Sequence, residues 1–150
     1  MSYSANQIAD YFLSRSAKDE EGEGISNLKL QKLLYYAQGF HLVLKGGPLF
    51  NERIVAWTHG PVVPDVYHRF KDAGDGEIPN AGMYPSSQID NTTAALLEEV
   101  WQAYGQFSAW RLREMTHREP PWINTPQSGV ISEQQLIAYF STQIENVDSP

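Results

Sequence analysis

Hydrophobic side chains recur every three or four residues along most of the chain, which is the spacing of a buried helix face. Ile8 and Phe12 mark a first helix over residues 5–16, and Ser4 with Gln7 forms the capping box that starts it. The segment from residue 18 to residue 24 is charged and carries glycine, so we expect an exposed loop there.

The run from Leu28 to Lys45 is the most hydrophobic helical segment, with Ser26 or Asn27 as its N-cap. One stripe at helical spacing forms its predicted core face: Leu30, Leu33, Leu34, Ala37, His41 and Leu44. Further apolar residues make this stripe wider than that of a surface helix, which predicts the central, most buried helix. Gly46, Gly47 and Pro48 end the helix, because glycine accepts positive φ and proline cannot continue the hydrogen bonding.

A short β-branched and aromatic run over residues 53–58 predicts a strand, which His59-Gly60-Pro61 ends. Pro61 and Pro64 both suit a first helical turn, so we expect a short helix from there to about Asp72. Residues 74–88 show no periodicity and are predicted to form a long loop.

The second half of the chain predicts three more helices. One ends near Gly105, a second is capped by Ser108 and stopped by Pro120 and Pro121, and Ser132 with Gln135 caps the last. The expected fold is therefore mainly α with minor β (α+β). It is a single domain, 1–150, of about six helices with one short strand or hairpin near residues 49–58, and with a frayed tail at 143–150.

Composition limits the function classes. The 150 residues contain no cysteine, which excludes disulfide scaffolds, thiol catalysis and iron–sulfur clusters. No signal peptide and no apolar run long enough for a membrane span are present, so a cytoplasmic location is expected. The net charge of −7 disfavours attraction to nucleic acid, although residues 1–75 carry only −1 of it and residues 76–150 carry −6.

The sequence holds no phosphate-binding glycine loop, nucleophile elbow or paired metal ligands, so no cofactor or metal is expected. Histidine is the only route to catalysis that we find. His68 follows Asp65 by three residues, and His59 lies at a strand-to-helix turn. These three residues support one alternative, a histidine-based hydrolase or nucleotide-modifying enzyme. An ordinary surface contact explains the Asp65 and His68 spacing equally well.

Two basic patches interrupt the acidic chain. Lys29, Lys32 and Lys45 surround two tyrosines, and three arginines lie within residues 111–118 beside Trp110 and Trp122. Mixtures of cations and aromatic rings bind single-stranded nucleic acid, which supports a second alternative, a nucleic-acid-binding regulator. Arginine and tryptophan are also the residues most enriched in protein–protein hot spots.

Two motifs make the chain recognisable. The first runs from Leu28 to Gly39, continues with Pro48-Leu49-Phe50 and Ala56-Trp57, and closes with Gly60-Pro61-Val62 and Val66-Tyr67. The second combines Leu112, Thr116-His117, Glu119 and Pro121-Trp122. In order and spacing they closely resemble the Panacea domain family, a prophage-associated family of bacteria and phages. The core motifs occupy residues 26–72 and 108–122.

This resemblance implies an antitoxin without enzymatic activity. Its partner would be a cognate toxin encoded by a neighbouring gene and neutralised by direct binding. The chain could also form a homo-oligomer. Apolar motif residues such as Leu30 and Tyr36 should build the fold, together with Gly60 and Pro61. The expected partner contacts come from both motifs and their flanks: Lys29, Lys32, Tyr35, Trp57, His59, Asp65, Arg111, Arg113, His117 and Trp122.

Overall fold

A computed structural model describes residues 3–19, 24–85 and 89–144. These residues form seven α-helices, one two-stranded antiparallel sheet and two short 3₁₀ helices, which confirms the predicted mainly α class with minor β. The α-helices are α1 Ala5–Ala17, α2 Asn27–Lys45, α3 Pro64–Arg69, α4 Asn91–Tyr104, α5 Ala109–Thr116, α6 Pro120–Ile123 and α7 Glu133–Ile144. The strands are β1 Val55–Trp57 and β2 Gly60–Val62, and the 3₁₀ helices are Lys71–Ala73 and Ala81–Met83.

Helix α2 is the centre of the molecule and packs against α1, α4, α5 and α7. Its residues from Lys29 to Gly39 are all buried, as its broad apolar surface predicts. The Oγ atom of Ser26 accepts a hydrogen bond from the Lys29 amide at 3.2 Å, and Gly46 ends the helix with φ of 78°. Leu44 is an exception to the predicted core stripe, because 49% of its surface is exposed near the end of the helix.

The predicted helix caps are confirmed. Ser4 Oγ accepts from the Gln7 amide at 3.1 Å, and Ser132 Oγ accepts from the Gln135 amide at the same distance. Ser108 Oγ accepts from the Arg111 amide at 3.1 Å and so starts α5. Each cap satisfies a backbone donor that has no partner inside its own helix.

The hairpin differs from the sequence-based expectation at Pro61. This residue lies in β2 opposite Ala56, and the following helix starts only at Pro64. Proline suits this strand because its fixed φ is compatible with extended backbone and its missing N–H costs little in a two-stranded sheet. Gly60 has φ of 112°, which allows the chain to reverse directly after His59.

The other side of β1 pairs with a distant segment, since the Ala56 amide donates to the carbonyl of Gly129 at 2.9 Å and the Ile131 amide donates to that of Ile54 at 2.8 Å. The hairpin is thus held between α2 and the chain that leads into α7. This tertiary support explains how a two-stranded sheet, which is only marginally stable alone, is ordered here.

Some residues of the predicted loops and of the predicted tail belong to helices or are anchored to the core. The Ile78 amide donates to the Ile25 carbonyl at 2.8 Å and the Ile78 side chain is buried, so the 74–88 segment is anchored to the core. The prolines at 120 and 121 begin α6 rather than merely ending α5. Residues 143 and 144 belong to α7, and the rest of the predicted tail lies outside the described residues, as do 20–23 and 86–88 of the predicted loops.

Candidate partner-binding site

The hairpin and helix α5 lie side by side and present a surface rich in aromatic rings and nitrogen atoms. We call this the hairpin–α5 surface. Its members are Trp57, Thr58, His59, Trp110, Arg113, His117 and Trp122.

Arg113 is held in a defined orientation at the middle of this surface. Its Nε–H donates to His59 Nδ1 at 2.9 Å, and its guanidinium carbon lies 4.4 Å from the centre of the Trp110 ring. Stacking of this kind is favourable because the positive guanidinium meets the negative face of the ring. Among the described residues, the terminal nitrogens Nη1 and Nη2 have no hydrogen-bond partner and no carboxylate pairs with them.

His117 and Trp122 fasten the hairpin to the second motif. The two ring nitrogens of His117 lie 2.7 Å from the Arg113 carbonyl and 2.9 Å from the Thr58 carbonyl. The indole N–H of Trp122 donates to the Trp57 carbonyl at 2.8 Å, and its ring lies 4.0 Å from that of His117. These contacts hold the end of α5 and helix α6 against the same hairpin turn.

Lys32 lies beneath the hairpin turn and is fully buried. Its Nζ donates to the Pro61 carbonyl at 2.9 Å. Burial lowers the pKa of Lys32 from 10.5 to about 7, and the positive charge of Arg113 acts in the same direction. A Cβ atom at Gly60 would lie 2.7 Å from Lys32 Cε, so the glycine is also what makes room for this side chain.

A second buried ionisable group, Glu119, lies behind the surface. Its carboxylate accepts hydrogen bonds from the hydroxyl groups of Tyr35 and Tyr36 at 2.9 and 2.8 Å. Burial raises the pKa of Glu119 despite these donors, and burial next to Glu119 raises the pKa of both tyrosines. The cluster connects α2 to the start of α6 and therefore holds the second motif against the first.

A cleft of about 560 Å³ opens beside the surface. Trp57, Thr58 and His59 form one wall, and Tyr67, Asp75 and Gln127 line other parts of it. The cleft places polar groups next to half-buried aromatic rings, which is the environment that binding pockets combine.

The structure separates the ten expected contact residues into two groups. Lys32 and Tyr35 are fully buried, and their side chains bind the Pro61 carbonyl and the Glu119 carboxylate. Lys29 is nearly buried, and its Nζ donates to the Gly105 carbonyl at the end of α4 at 2.6 Å. The members at least partly exposed are Trp57, His59, Asp65, Arg111, Arg113, His117 and Trp122. Five of these seven lie on the hairpin–α5 surface. Asp65 lies on α3, and the side chain of Arg111 on α5 makes no hydrogen bond or ion pair with any described residue.

Sequence reasoning did not include Trp110 among the contacts or the pairing of Glu119 with tyrosines. Trp110 is 56% exposed and lies three residues before Arg113 on α5. That i, i+3 spacing of an aromatic ring and a cation is a signal that the sequence does contain. The pairing of Glu119 with Tyr35 and Tyr36 has no such local signal, because these two tyrosines are more than 80 residues away.

The histidine-based alternative gains no support from the geometry. His59 accepts from Arg113, His68 contacts the rings of Trp57 and Tyr67, and Asp65 is exposed. Within the described part of the chain, no hydrogen bond joins any two of His59, His68 and Asp65.

The same described residues contain no group of three or more histidine or acidic side chains placed to hold a metal ion. None of their helices has the length and apolar character needed to cross a membrane.

Comparisons with known proteins agree with the motifs. Residues 30–123 match the family model described as Antitoxin SocA-like, Panacea domain. The chain is also 36% identical over 132 residues to Antitoxin SocA of Caulobacter vibrioides (strain NA1000 / CB15N), an alignment that covers 81% of this chain and 69% of that protein. No solved structure matches the chain. The matched range contains most of α2 and all of the hairpin, α5 and α6, and thus the whole hairpin–α5 surface.

Proposed function

Because the chain belongs to the Antitoxin SocA-like, Panacea domain family, we propose that it is an antitoxin that neutralises a cognate toxin by direct protein–protein binding. The toxin is the protein encoded by a neighbouring gene. Binding acts without catalysis, by covering a surface that the toxin needs for its activity.

The observation that carries this proposal is the composition of the hairpin–α5 surface. Trp110 is 56% exposed, and Arg113 stacks on it with terminal nitrogens that no described residue pairs with. Tryptophan and arginine residues dominate the affinity of protein interfaces because they bury large areas and also donate hydrogen bonds. An interface of standard size covers roughly 800 Å² per partner, so it would extend from this surface into the adjoining cleft.

The proposed contacts are the exposed members of the set expected from the sequence, together with Trp110: Trp57, His59, Asp65, Trp110, Arg111, Arg113, His117 and Trp122. Lys32 and Tyr35 support this surface from beneath, whereas Lys29 binds the end of α4. Trp57, His117 and Trp122 also hold the hairpin in place, so their substitution would change folding as well as binding.

Co-expression tests the function. The neighbouring gene product should stop growth when expressed alone, and this chain should restore growth and co-purify with it. A neighbouring product that is harmless alone, or one that is toxic but neither rescued nor bound, would contradict the proposal.

Trp110→Ala tests the surface within the same assay. We expect affinity for the neighbouring product to fall by roughly 30-fold, since an exposed tryptophan anchor contributes about 2 kcal/mol or more to an interface. Met83→Ala is the matched control, because Met83 is 80% exposed and lies outside the hairpin–α5 surface. Both variants should keep the melting temperature of the parent chain. Equal binding by both variants would place the interface elsewhere.

A further inference from the structure

Two cations lie next to each other at the hairpin turn, and no acidic side chain among the described residues pairs with either. Arg113 contacts His59 and Trp110, and Lys32 donates a single hydrogen bond to the Pro61 carbonyl. An ammonium group has three donors, and a guanidinium group has five. The turn therefore carries positive charge and donors that the described fold does not satisfy.

The electrostatic cost of this arrangement is visible at Lys32. Lys32 is fully buried, and the positive charge of Arg113 adds to burial in lowering the pKa of its ammonium group. Buried charges are normally paired, because desolvation of an isolated charge is expensive. An anion bound at Arg113 would offset the repulsion that Arg113 exerts on protonated Lys32, and it would use the donors that the described fold leaves free.

The surroundings of Arg113 favour a carboxylate on a protein over the phosphates of a nucleic acid. The two terminal nitrogens of Arg113 can each donate to one oxygen of a carboxylate or of a phosphate, so these donors alone do not select between the two anions. Exposed tryptophan beside it supplies apolar contact area, as in the centre of protein interfaces. The chain as a whole carries −7, which opposes the approach of a polyanion.

We infer that Arg113, held by His59 and Trp110 above Lys32, is a preformed receptor for the carboxylate of an aspartate or glutamate side chain of the toxin. The inference rests on the proposed function and names the chemistry by which that same surface selects its partner. His59 is a positioning residue, because it acts on the carboxylate only through Arg113.

The test measures the dissociation constant between the purified chain and the neighbouring gene product. Arg113→Gln should weaken binding by about 10- to 100-fold, as is typical for the loss of one member of a desolvated charge pair. Arg113→Lys should recover only part of this loss, because a lysine keeps the charge but cannot bind a carboxylate with two parallel hydrogen bonds. Arg53→Gln is the matched control, since Arg53 lies outside the site, and its binding should change by less than about twofold.

A double-mutant cycle identifies the carboxylate. Exposed acidic residues of the neighbouring gene product are changed to alanine one at a time, and each variant is measured against the parent chain and against Arg113→Gln. One acidic residue should be strongly coupled, so that its removal costs about 10-fold or more with the parent chain and little with Arg113→Gln. The absence of any coupled acidic residue would overturn the inference.

Other outcomes separate this inference from the proposed function. If the parent chain neutralises and binds the toxin but Arg113→Gln binds equally well, the carboxylate receptor is wrong and the antitoxin role stands. If the parent chain does not bind the product, both fail. If the parent chain is retained on single-stranded DNA or RNA and Arg113→Gln abolishes this retention, the site serves nucleic acid and the inference is overturned. Unchanged melting temperatures of the variants show that binding, and not folding, has changed. If Arg113→Gln does not fold, Arg113→Lys and His59→Ala are measured in its place. Unchanged affinity of both variants would also overturn the inference.

Discussion

Lys32 shows how strongly one buried residue can depend on pH in this fold. The unfolded chain holds the Lys32 proton up to about pH 10.5, whereas the pKa of the folded state is about 7. Between these values the unfolded state binds more protons, so the free energy of unfolding contributed by Lys32 increases with rising pH. Below pH 7 both states are protonated, and the full cost of the buried charge is present.

We therefore expect Lys32→Met to flatten the pH dependence of stability. The parent chain should gain on the order of 1 kcal/mol of unfolding free energy per pH unit from this residue between pH 7 and 9, and the variant should lack this gain. Urea unfolding at pH 6, 7, 8 and 9 measures it. Lys45→Met, an exposed residue near the end of the same helix, is the control and should follow the parent chain. Parallel profiles for the parent chain and Lys32→Met would show that Lys32 keeps its proton in the fold.

Helix α2 packs against helix α7 at a glycine, Gly39. A Cβ atom built on Gly39 would lie 2.2 Å from the ring of Phe140, which is itself fully buried. Real Cβ atoms do not approach other atoms so closely, and a buried ring has little space to move away. The glycine in the first motif thus serves close helix packing, and not a turn.

We expect Gly39→Ala to destabilise the protein by roughly 1 to 3 kcal/mol, because overpacking outweighs the higher helix propensity of alanine. Gly47→Ala is the matched control, since a Cβ atom at that position would have no other atom within 4 Å and the φ of Gly47 is not positive. Thermal unfolding of both variants measures the difference. A Gly39→Ala variant as stable as the parent chain would mean that α7 shifts at little cost.

At the scale of the whole molecule, the acidic charge and the two basic patches act in opposite directions. The net charge is −7, yet Arg111, Arg113 and Arg118 form no ion pair with any described residue. Of the three lysines in the first patch, Lys29 and Lys32 are buried, so they contribute little to a surface that a polyanion would meet. The structure therefore weakens the nucleic-acid interpretation of that patch, while the arginine patch stays accessible.

We accordingly expect no retention of the chain on heparin at about 0.15 M salt, since a polyanion is held in proportion to the number of accessible cations. Arg113→Gln should behave in the same way. Elution from a heparin column under a salt gradient provides the measurement. Retention that falls steeply with salt would contradict the prediction and favour a nucleic-acid-binding regulator.

The sequence by itself determined the helices and the family of this protein. Helical periodicity and caps depend on residues within about four positions of each other, so Ser4, Ser108 and Ser132 could be assigned to helix starts without a structure. The start of α2 was limited to Ser26 or Asn27 in the same way. The family motifs are likewise a property of the residue order. Pro61 was misplaced for the same reason, because its local pattern suits either a helix start or a strand.

Only the tertiary structure decided which motif residues are available to a partner. Arg113 meets His59 across 54 residues, Glu119 meets Tyr35 across 84, and β1 pairs with a segment beyond residue 127. These contacts determine whether a cation is exposed and oriented, as Arg113 is, or buried, as Lys32 is. No local pattern contains that information, because burial and charge pairing depend on which distant elements pack together.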